Sequence, residues 1–235
     1  MKSTAHAPAS RAFSLVELLV VIAVIAIVAG FAVPAVTTML RGSQLTQGSQ
    51  MVVDQIALAR QTALSKNRSI EVRFYKYADP ETPGEMGKKA DDGVFRAIQT
   101  FEILDNGKAL PINTIQRLPT NVLINEAKNS TLINELRDTN GKFTVPTDSD
   151  PEIPDTDVKR EYVYVALRFL PDGSTNLPPA AKDNDSWYIT IHGMNVKKAN
   201  GETDGSTSIL PDNFFTLQID PITGSTRSYR PNIGG

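Results

Sequence analysis

A single uncharged stretch near the N-terminus constrains the fold of this 235-residue chain more than any other feature. From Leu18 to Val36 the sequence runs for 19 residues without a charged side chain, and no charge occurs between Glu17 and Arg41. A helix rises about 1.5 Å per residue, so about 20 apolar residues cross the roughly 30 Å hydrocarbon layer of a membrane. The stretch therefore predicts a retained membrane helix over about residues 16–40. The alternative is a secretory signal peptide, whose apolar part is normally shorter.

One acidic residue, Glu17, stands at the beginning of this stretch. An acid in a membrane segment is costly without a partner, and it usually marks function. No basic residue within the stretch can pair with it in the same chain. A free amino group on a neighbouring copy would serve as the partner if the chain were cut just before Phe13.

The residues around Glu17 resemble the processing motif of type IV prepilins and type II secretion pseudopilins. The motif is carried by Arg11-Ala12-Phe13-Ser14-Leu15-Val16-Glu17-Leu18 and by the apolar stretch that follows. The resemblance implies that a prepilin peptidase/methyltransferase cleaves between Ala12 and Phe13, that Phe13 is N-methylated, and that Glu17 is the assembly carboxylate. It also implies an assembly role for Pro34, where many members have a helix-kinking proline. The family usually has glycine before the cut, and we expect the small Ala12 to preserve cleavage.

The motif divides the chain into three parts. Residues 1–12 form a short basic leader, residues 13–67 a long helix, and residues 68–235 a β-rich head. The resemblance implies a single-pass protein of the bacterial inner membrane, with a cytoplasmic N-terminus, a periplasmic or extracellular head, and a place in a filament after assembly. Loss of Lys2 and Arg11 with the leader changes the formal charge from −2 to about −4.

Apolar residues at helical spacing extend the predicted helix to about Lys66. They are Leu45, Val52, Ile56, Ala59 and Ala63. Pro34, Gly42 and Gly48 are predicted bends or weak points.

After Asn67 the periodicity changes to two, as in a half-buried strand: Ile70, Val72 and Phe74 alternate with more polar residues. Further strands are predicted over residues 95–103, 122–124, 162–170, 187–192, 214–220 and 226–229. Many short strands punctuated by Gly and Pro, without alternating helices, favour an antiparallel sheet. The sequence thus predicts an α+β fold, in which a long N-terminal helix packs against an antiparallel β-sheet head. This is the arrangement of a type IV pilin.

Segments outside the processing motif resemble two particular groups of pilin-like proteins. One set of segments resembles the GspH/FimT group of minor pseudopilins: residues 56–63, 67–68, 168–174 and 215–229. The pilin-like Verru_Chthon cassette protein D is resembled by residues 42–45, 50–55 and 214–221. The resemblance implies a structural subunit of a type IV pilus-like filament or a type II secretion pseudopilus. Its implied partners are the prepilin peptidase, other pilin or pseudopilin subunits and the inner membrane.

Composition argues against an enzyme. The chain has no cysteine, and its two histidines are His6 in the leader and His192. Walker A, H-E-x-x-H, G-x-G-x-x-G and G-x-S-x-G patterns are missing. We therefore predict no catalytic residue and no cofactor, and a structural or surface role for His192.

Three long loops, over about residues 78–93, 125–160 and 193–212, are predicted to be functional or mobile. The second contains acidic residues whose oxygens could hold Ca²⁺. They are Asp148, Asp150, Glu152, Asp155 and Asp157. Their spacing is not that of an EF-hand, so we expect a solvated acidic loop and no metal site, with calcium left open for residues 148–157.

The C-terminal sequence supplies an alternative function. Some FimT-like minor pilins bind DNA through arginines near the C-terminus, and here Arg227, Tyr229 and Arg230 could contact phosphates and a base face. In an extended strand Arg227 and Arg230 point to opposite sides, and the net charge of −2 opposes binding, so nucleic acid is not an expected partner. A membrane-anchored β domain that never polymerises is a further alternative, in which Glu17 would have no purpose.

Overall fold

The computed structural model describes residues 14–82, 84–126, 130–137, 142–154, 157–179, 186–194, 196–197, 203–204, 211 and 213–231. The chain divides into two compact units, Met1–Leu40 and Arg41–Gly235.

One continuous helix, α1 (Leu15–Lys66), contains residues of both units. Gly42 and Gly48, which were predicted bends or weak points, both lie within this helix. A Cβ at Gly42 would meet nothing within 4 Å, whereas a Cβ at Gly48 would lie 2.9 Å from Cγ1 of Val122. Gly48 therefore lets the helix approach the sheet closely.

In the first unit, the described side chains from residue 15 to residue 30 are exposed on every side of α1. Apart from Glu17 they are all apolar or glycine. Among the residues that the structure describes, no helix has both the length and the hydropathy required of a membrane span.

The second unit is built on an antiparallel sheet, which confirms the α+β prediction. Its strands are β1 (Ile70–Tyr77), β2 (Val94–Ile103), β3 (Ala109–Pro111), β4 (Gln116–Arg117), β5 (Val122–Ile124), β6 (Val163–Phe169), β7 (Trp187–Gly193), β10 (Phe214–Ile219) and β11 (Thr226–Tyr229), while β8 (Val196–Lys197) and β9 (Thr203–Asp204) form a separate pair. The strand order is β11-β10-β7-β5-β2-β1-β6, with β3 and β4 paired to β2. Two short helical segments, a 3₁₀ turn (Ala90–Asp92) and α2 (Thr131–Glu135), lie in the connections.

The predicted apolar face of α1 lies in the main core. Leu45, Val52, Ile56, Ala59 and Ala63 are all buried, together with the alternate β1 residues Ile70, Val72 and Phe74. A polar contact also fixes the helix on the sheet: Oε1 of Gln55 accepts hydrogen bonds from Oγ1 of Thr100 at 3.0 Å and Nδ2 of Asn113 at 2.6 Å. Because these groups are largely buried, sliding the helix would leave polar atoms without partners.

The other face of β1 is also covered, so the prediction of a half-buried strand is wrong. All eight residues of β1 are buried. A second apolar cluster joins Tyr75 to Ile153, Val158 and Tyr162. These last three residues belong to a segment that we name the strap, residues 142–154 and 157–162. Ile153, Val158 and Tyr162 of the strap pack on the sheet face opposite the main core, and therefore even the alternate polar positions of β1 lose their contact with water.

The loop predicted over residues 78–93 is anchored by buried ion pairs. Arg96 contacts Glu85 at 2.6 Å and Asp79 at 3.4 Å, and Arg117 contacts Asp79 at 3.1 Å. Most of the loop predicted over residues 193–212 lies outside the described residues.

Candidate assembly site

The predicted cleavage site, between Ala12 and Phe13, lies outside the described residues, which begin at Ser14. Pro34 lies within α1. The structure therefore describes this site through Ser14, Glu17 and the apolar surface beside them.

Glu17 takes part in a reciprocal hydrogen-bonded pair at the start of α1. The backbone N–H of Ser14 donates to Oε2 of Glu17 at 3.0 Å, and the backbone N–H of Glu17 donates to Oγ of Ser14 at 3.1 Å. The carbonyl oxygen of Ser14 accepts the first helical bond, from the N–H of Leu18 at 3.2 Å. Ser14 is thus the N-cap and Glu17 the third helical residue, which is the geometry of a capping box.

This capping box was not predicted, although its signal is visible in the sequence. Ser14-Leu15-Val16-Glu17 has the S-x-x-E spacing and precedes an apolar run, which is the pattern of a capping box. The motif predicts for Glu17 a contact with an amino terminus, its own or a neighbour's. The structure adds a contact within the chain.

An apolar surface lies immediately beside this carboxylate. Its lining residues are Leu15, Leu18, Leu19, Ile22, Ala23 and Ala26, all on α1. Leu15 is 78% exposed and Leu19 is 61% exposed. Exposed contiguous apolar surface of this kind marks contact with lipid or with another protein.

The C-terminal residues considered for nucleic acid have contacts within the head. Nη1 of Arg230 donates to Oγ1 of Thr46 on α1 at 3.2 Å, and its Nη2 donates to Oδ1 of Asn213 at 3.4 Å. The hydroxyl of Tyr229 donates to Oε1 of Gln218 at 2.8 Å. Because side chains alternate along β11, Arg227 and Tyr229 lie on one face of the strand and Arg230 follows on the other side. The two arginines therefore do not form one shared surface.

The acidic loop is only partly solvated, which corrects the prediction. Nη1 of Arg73 donates to Oδ1 of Asp150 at 2.5 Å, and the two side chains are 8% and 12% exposed. Glu152 pairs with Arg160 at 2.9 Å, while Asp148 and Asp157 are exposed. In the part of the chain that is described, no three acidic, histidine or cysteine side chains are grouped so that they could hold a metal ion.

His192 is a buried residue of β7 with both ring nitrogens engaged. Nδ1 lies 2.8 Å from the carbonyl oxygen of Gly193, which can only accept, so Nδ1 carries the proton. Nε2 then accepts from Nδ2 of Asn125 at 3.1 Å. Burial, partly offset by the bond to Gly193, lowers the pKa of His192. A neutral, hydrogen-bonded ring of this kind has a structural role.

The comparisons with known proteins concern the same N-terminal region and the fold. The prokaryotic N-terminal methylation motif matches residues 8–33. No curated protein is significantly similar to this chain in sequence. Among solved structures, the chain is similar to the type IV minor pilin FimU of Pseudomonas aeruginosa strain PAO1, with a TM-score of 0.42 and 12% identity, over 81% of this chain and 94% of that one. A likeness of this degree carries no weight for function. The methylation motif, followed by a long helix and an antiparallel sheet, supports a type IV pilin-like protein.

Proposed function

We propose that this chain is a structural minor pilin or pseudopilin subunit. The prepilin peptidase removes residues 1–12, and the new N-terminus at Phe13 is methylated. The observation that carries the proposal is the methylation motif over residues 8–33, which contains both the cut position and Glu17.

In this proposal the apolar N-terminal part of α1 has one role before assembly and another during assembly. Before assembly it anchors the subunit in the inner membrane as a single span, with the head outside the cytoplasm. The uncharged run Leu18–Val36 supports this stage, because its length suits the hydrocarbon layer. During assembly the same exposed apolar side chains exchange lipid for neighbouring helices. Their exposure on every side of α1 suits packing against several neighbours.

Glu17 gives this packing a register. A carboxylate enclosed by apolar side chains is unfavourable unless a cation or hydrogen-bond donors face it. The amino group created at Phe13 is such a cation, and only a correctly placed neighbour, or the chain's own terminus, brings one to Glu17. Misplaced subunits would leave the carboxylate without that partner, so pairing favours correct incorporation.

The proposal also concerns which filament system the subunit belongs to. The resemblance of the head to the GspH/FimT group and to the Verru_Chthon cassette protein D favours a minor subunit of a type IV pilus-like filament or a type II secretion pseudopilus. DNA uptake is not favoured, because Arg230 is held by Thr46 and Asn213 and the chain carries a net charge of −2. We propose a structural role in preference to the DNA receptor and to the static membrane anchor.

The test is the substitution Glu17→Ala in the full chain, expressed with the prepilin peptidase and the filament machinery of its source. We expect normal membrane insertion and cleavage but loss of incorporation into sheared filaments. Asp54→Ala is the matched control, because Asp54 is an exposed carboxylate on the same helix that bonds only to Gln50 among the described residues, at 2.8 Å. Normal incorporation of Glu17→Ala would contradict the pairing role.

A further inference from the structure

We infer that Asn106 is a self-modification site, at which the folded chain converts its own asparagine side chain to aspartate and isoaspartate without an enzyme. The residue begins the pair Asn106-Gly107, which lies in the turn between β2 and β3. The inference does not depend on the proposed function, because the reaction needs only this turn and water.

A tight turn closes around this pair. The N–H of Gly107 donates to the carbonyl oxygen of Leu104 at 2.8 Å, and the N–H of Leu104 donates to the carbonyl oxygen of Lys108 at 2.9 Å. Gly107 has a φ of +78°, a conformation that favours glycine. Because glycine has no Cβ, no side chain on residue 107 shields its backbone nitrogen from the neighbouring Asn106.

The side-chain amide of Asn106 is folded toward the backbone nitrogen that would attack it. Its Oδ1 accepts a hydrogen bond from the N–H of Lys108 at 3.0 Å, so the side chain bends back over Gly107 in an Asx turn. This bond polarises the amide carbon, Cγ. The same N–H faces the oxygen on which negative charge develops when Cγ is attacked, and it therefore acts as an oxyanion donor.

The reaction consumes one water molecule and releases one ammonia. The backbone nitrogen of Gly107 loses its proton to hydroxide and attacks Cγ of Asn106. The bond from Cγ to the side-chain nitrogen then breaks, and that nitrogen takes up a proton and leaves as ammonia. Water opens the resulting succinimide at either of its carbonyl carbons. One opening gives aspartate, and the other gives isoaspartate, in which the main chain passes through Cβ and Cγ of residue 106.

The turn is accessible enough to react while the head is folded. Residues 105–108 are all exposed, so hydroxide and water reach the site. The bond from Gly107 to Leu104 must open before the nitrogen attacks, and exposed turns with few buried contacts open at low free-energy cost. The ion pair that ties this turn to the end of α1, from Nη1 of Arg68 to Oδ1 of Asp105 at 3.3 Å, is exposed and holds the turn only weakly.

Conversion changes both the charge and the strand pairing at this end of the sheet. Each event adds one negative charge beside Asp105. Isoaspartate also lengthens the main chain inside the turn, and the bond between Leu104 and Lys108 cannot accommodate this unchanged. The pair that follows in the register is Ile103 with Ala109, at the end of β2 and the start of β3. We therefore expect aged subunits to be more acidic and to have a looser β2–β3 hairpin.

The experiment incubates the full chain in detergent at neutral and at mildly alkaline pH, both folded and unfolded in urea. Peptide mapping by mass spectrometry resolves asparagine, aspartate and isoaspartate at position 106 over time. Asn106→Gln is the matched control, because its amide carbon lies one methylene further from the nitrogen of Gly107. Asn106→Asp supplies the aspartate product as a standard. The pairs Asn140-Gly141 and Asn200-Gly201, which lie outside the described residues, report the reactivity of the same dipeptide in the urea-unfolded chain.

We expect progressive conversion of Asn106 in the folded chain, faster at the higher pH, with isoaspartate among the products. Asn106→Gln should show no conversion at this position over the same time. Retention of asparagine in the folded chain, while the unfolded chain converts it, would overturn the inference. Conversion to aspartate alone would overturn the attack by Gly107, since direct hydrolysis of the amide gives no isoaspartate. Each of these outcomes leaves cleavage and methylation at the N-terminus untouched, so the proposed function stands or falls separately.

Discussion

Replacing Asp150 by alanine should weaken the attachment of the strap to the sheet. Asp150 is bonded to Arg73 at 2.5 Å, and the guanidinium of Arg73 lies 4.2 Å from the ring centroid of Phe101 and 4.6 Å from that of Tyr164. The side chain of Arg73 is only 8% exposed, so the substitution leaves a buried cation with one partner fewer. Arg73 keeps its bond to Glu71 at 2.7 Å.

The expected loss in the free energy of unfolding depends on the bond that Arg73 keeps to Glu71. Removing one member of a buried ion pair costs about 3–5 kcal/mol when the other charge is left without a partner. Because Glu71 still faces Arg73, we expect a loss of about 2–3 kcal/mol in the free energy of unfolding. Asp148→Ala is the matched control in the same segment. Asp148 is exposed, and its replacement should change the free energy of unfolding by less than about 0.5 kcal/mol.

The dependence on pH separates the ion pair from simple packing. Burial alone would raise the pKa of Asp150, but hydrogen bonds from Thr147 and from Arg73 together outweigh it and lower the pKa. A lowered pKa in the folded state stabilises the protein above the ordinary value of about 3.9, and that stabilisation is lost as the pH falls through the lowered pKa. The difference between wild type and Asp150→Ala should therefore be full at pH 7 and shrink in acid below about pH 4.

The assay is urea unfolding of residues 41–235, followed by far-ultraviolet circular dichroism at neutral and acid pH. A lower midpoint with an unchanged slope would report a change in stability alone. The reasoning is refuted if Asp150→Ala and Asp148→Ala have the same midpoint at pH 7. It is also refuted if the loss in Asp150→Ala stays constant into acid.

Three further predictions concern other parts of the head. Gly93→Ala should lower the free energy of unfolding by about 3 kcal/mol, because its Cβ would lie 2.1 Å from the carbonyl carbon that ends β1. The urea midpoint checks this. His192 has a lowered pKa, so the stability of wild type should fall as the pH drops below about 6.5, and His192→Gln should remove most of this slope between pH 5 and 6.5. The head should not retard DNA at physiological salt, and a retardation that is lost in the double substitution Arg227→Ala, Arg230→Ala would contradict the structural role.

Local patterns were sufficient to predict the helix face and most of the strands. The buried stripe from Leu45 to Ala63 follows from helical periodicity alone, because each residue of the stripe packs on the same side. The predicted strands over residues 122–124 and 226–229 have the observed bounds. Those over residues 95–103, 162–170, 187–192 and 214–220 differ from the observed strands by at most one residue at either end, and β1 continues to Tyr77, beyond the predicted alternation. Alternation and turn residues are local signals, and they determine such elements well.

The strap could not be predicted from local patterns. Its polar, proline-interrupted sequence is typical of a solvated loop, yet it buries Ile153 and Val158 against β1 and pairs Asp150 with Arg73 across 77 positions of the chain. Such a contact depends on which loop the finished fold brings to that face. Gly48 is a similar case, because its closeness to Val122 arises from helix-on-sheet packing and not from its neighbours in sequence.

The assembly role of Glu17 remains a prediction, and the structure adds the capping box within the chain. The motif identified Glu17 from the sequence, and the S-x-x-E spacing that makes Ser14 its partner is equally local. The pairing between chains that we propose for Glu17 depends on neighbours, which no single sequence or isolated subunit contains.

The most direct test of the central claim is the intact mass of the membrane-extracted protein, expressed with and without an active prepilin peptidase. The account predicts that the peptidase yields a chain beginning at Phe13 with one added methyl group, despite alanine at position 12. A chain that keeps residues 1–12 in the presence of the active peptidase would contradict it, and a static membrane anchor would then be the better explanation.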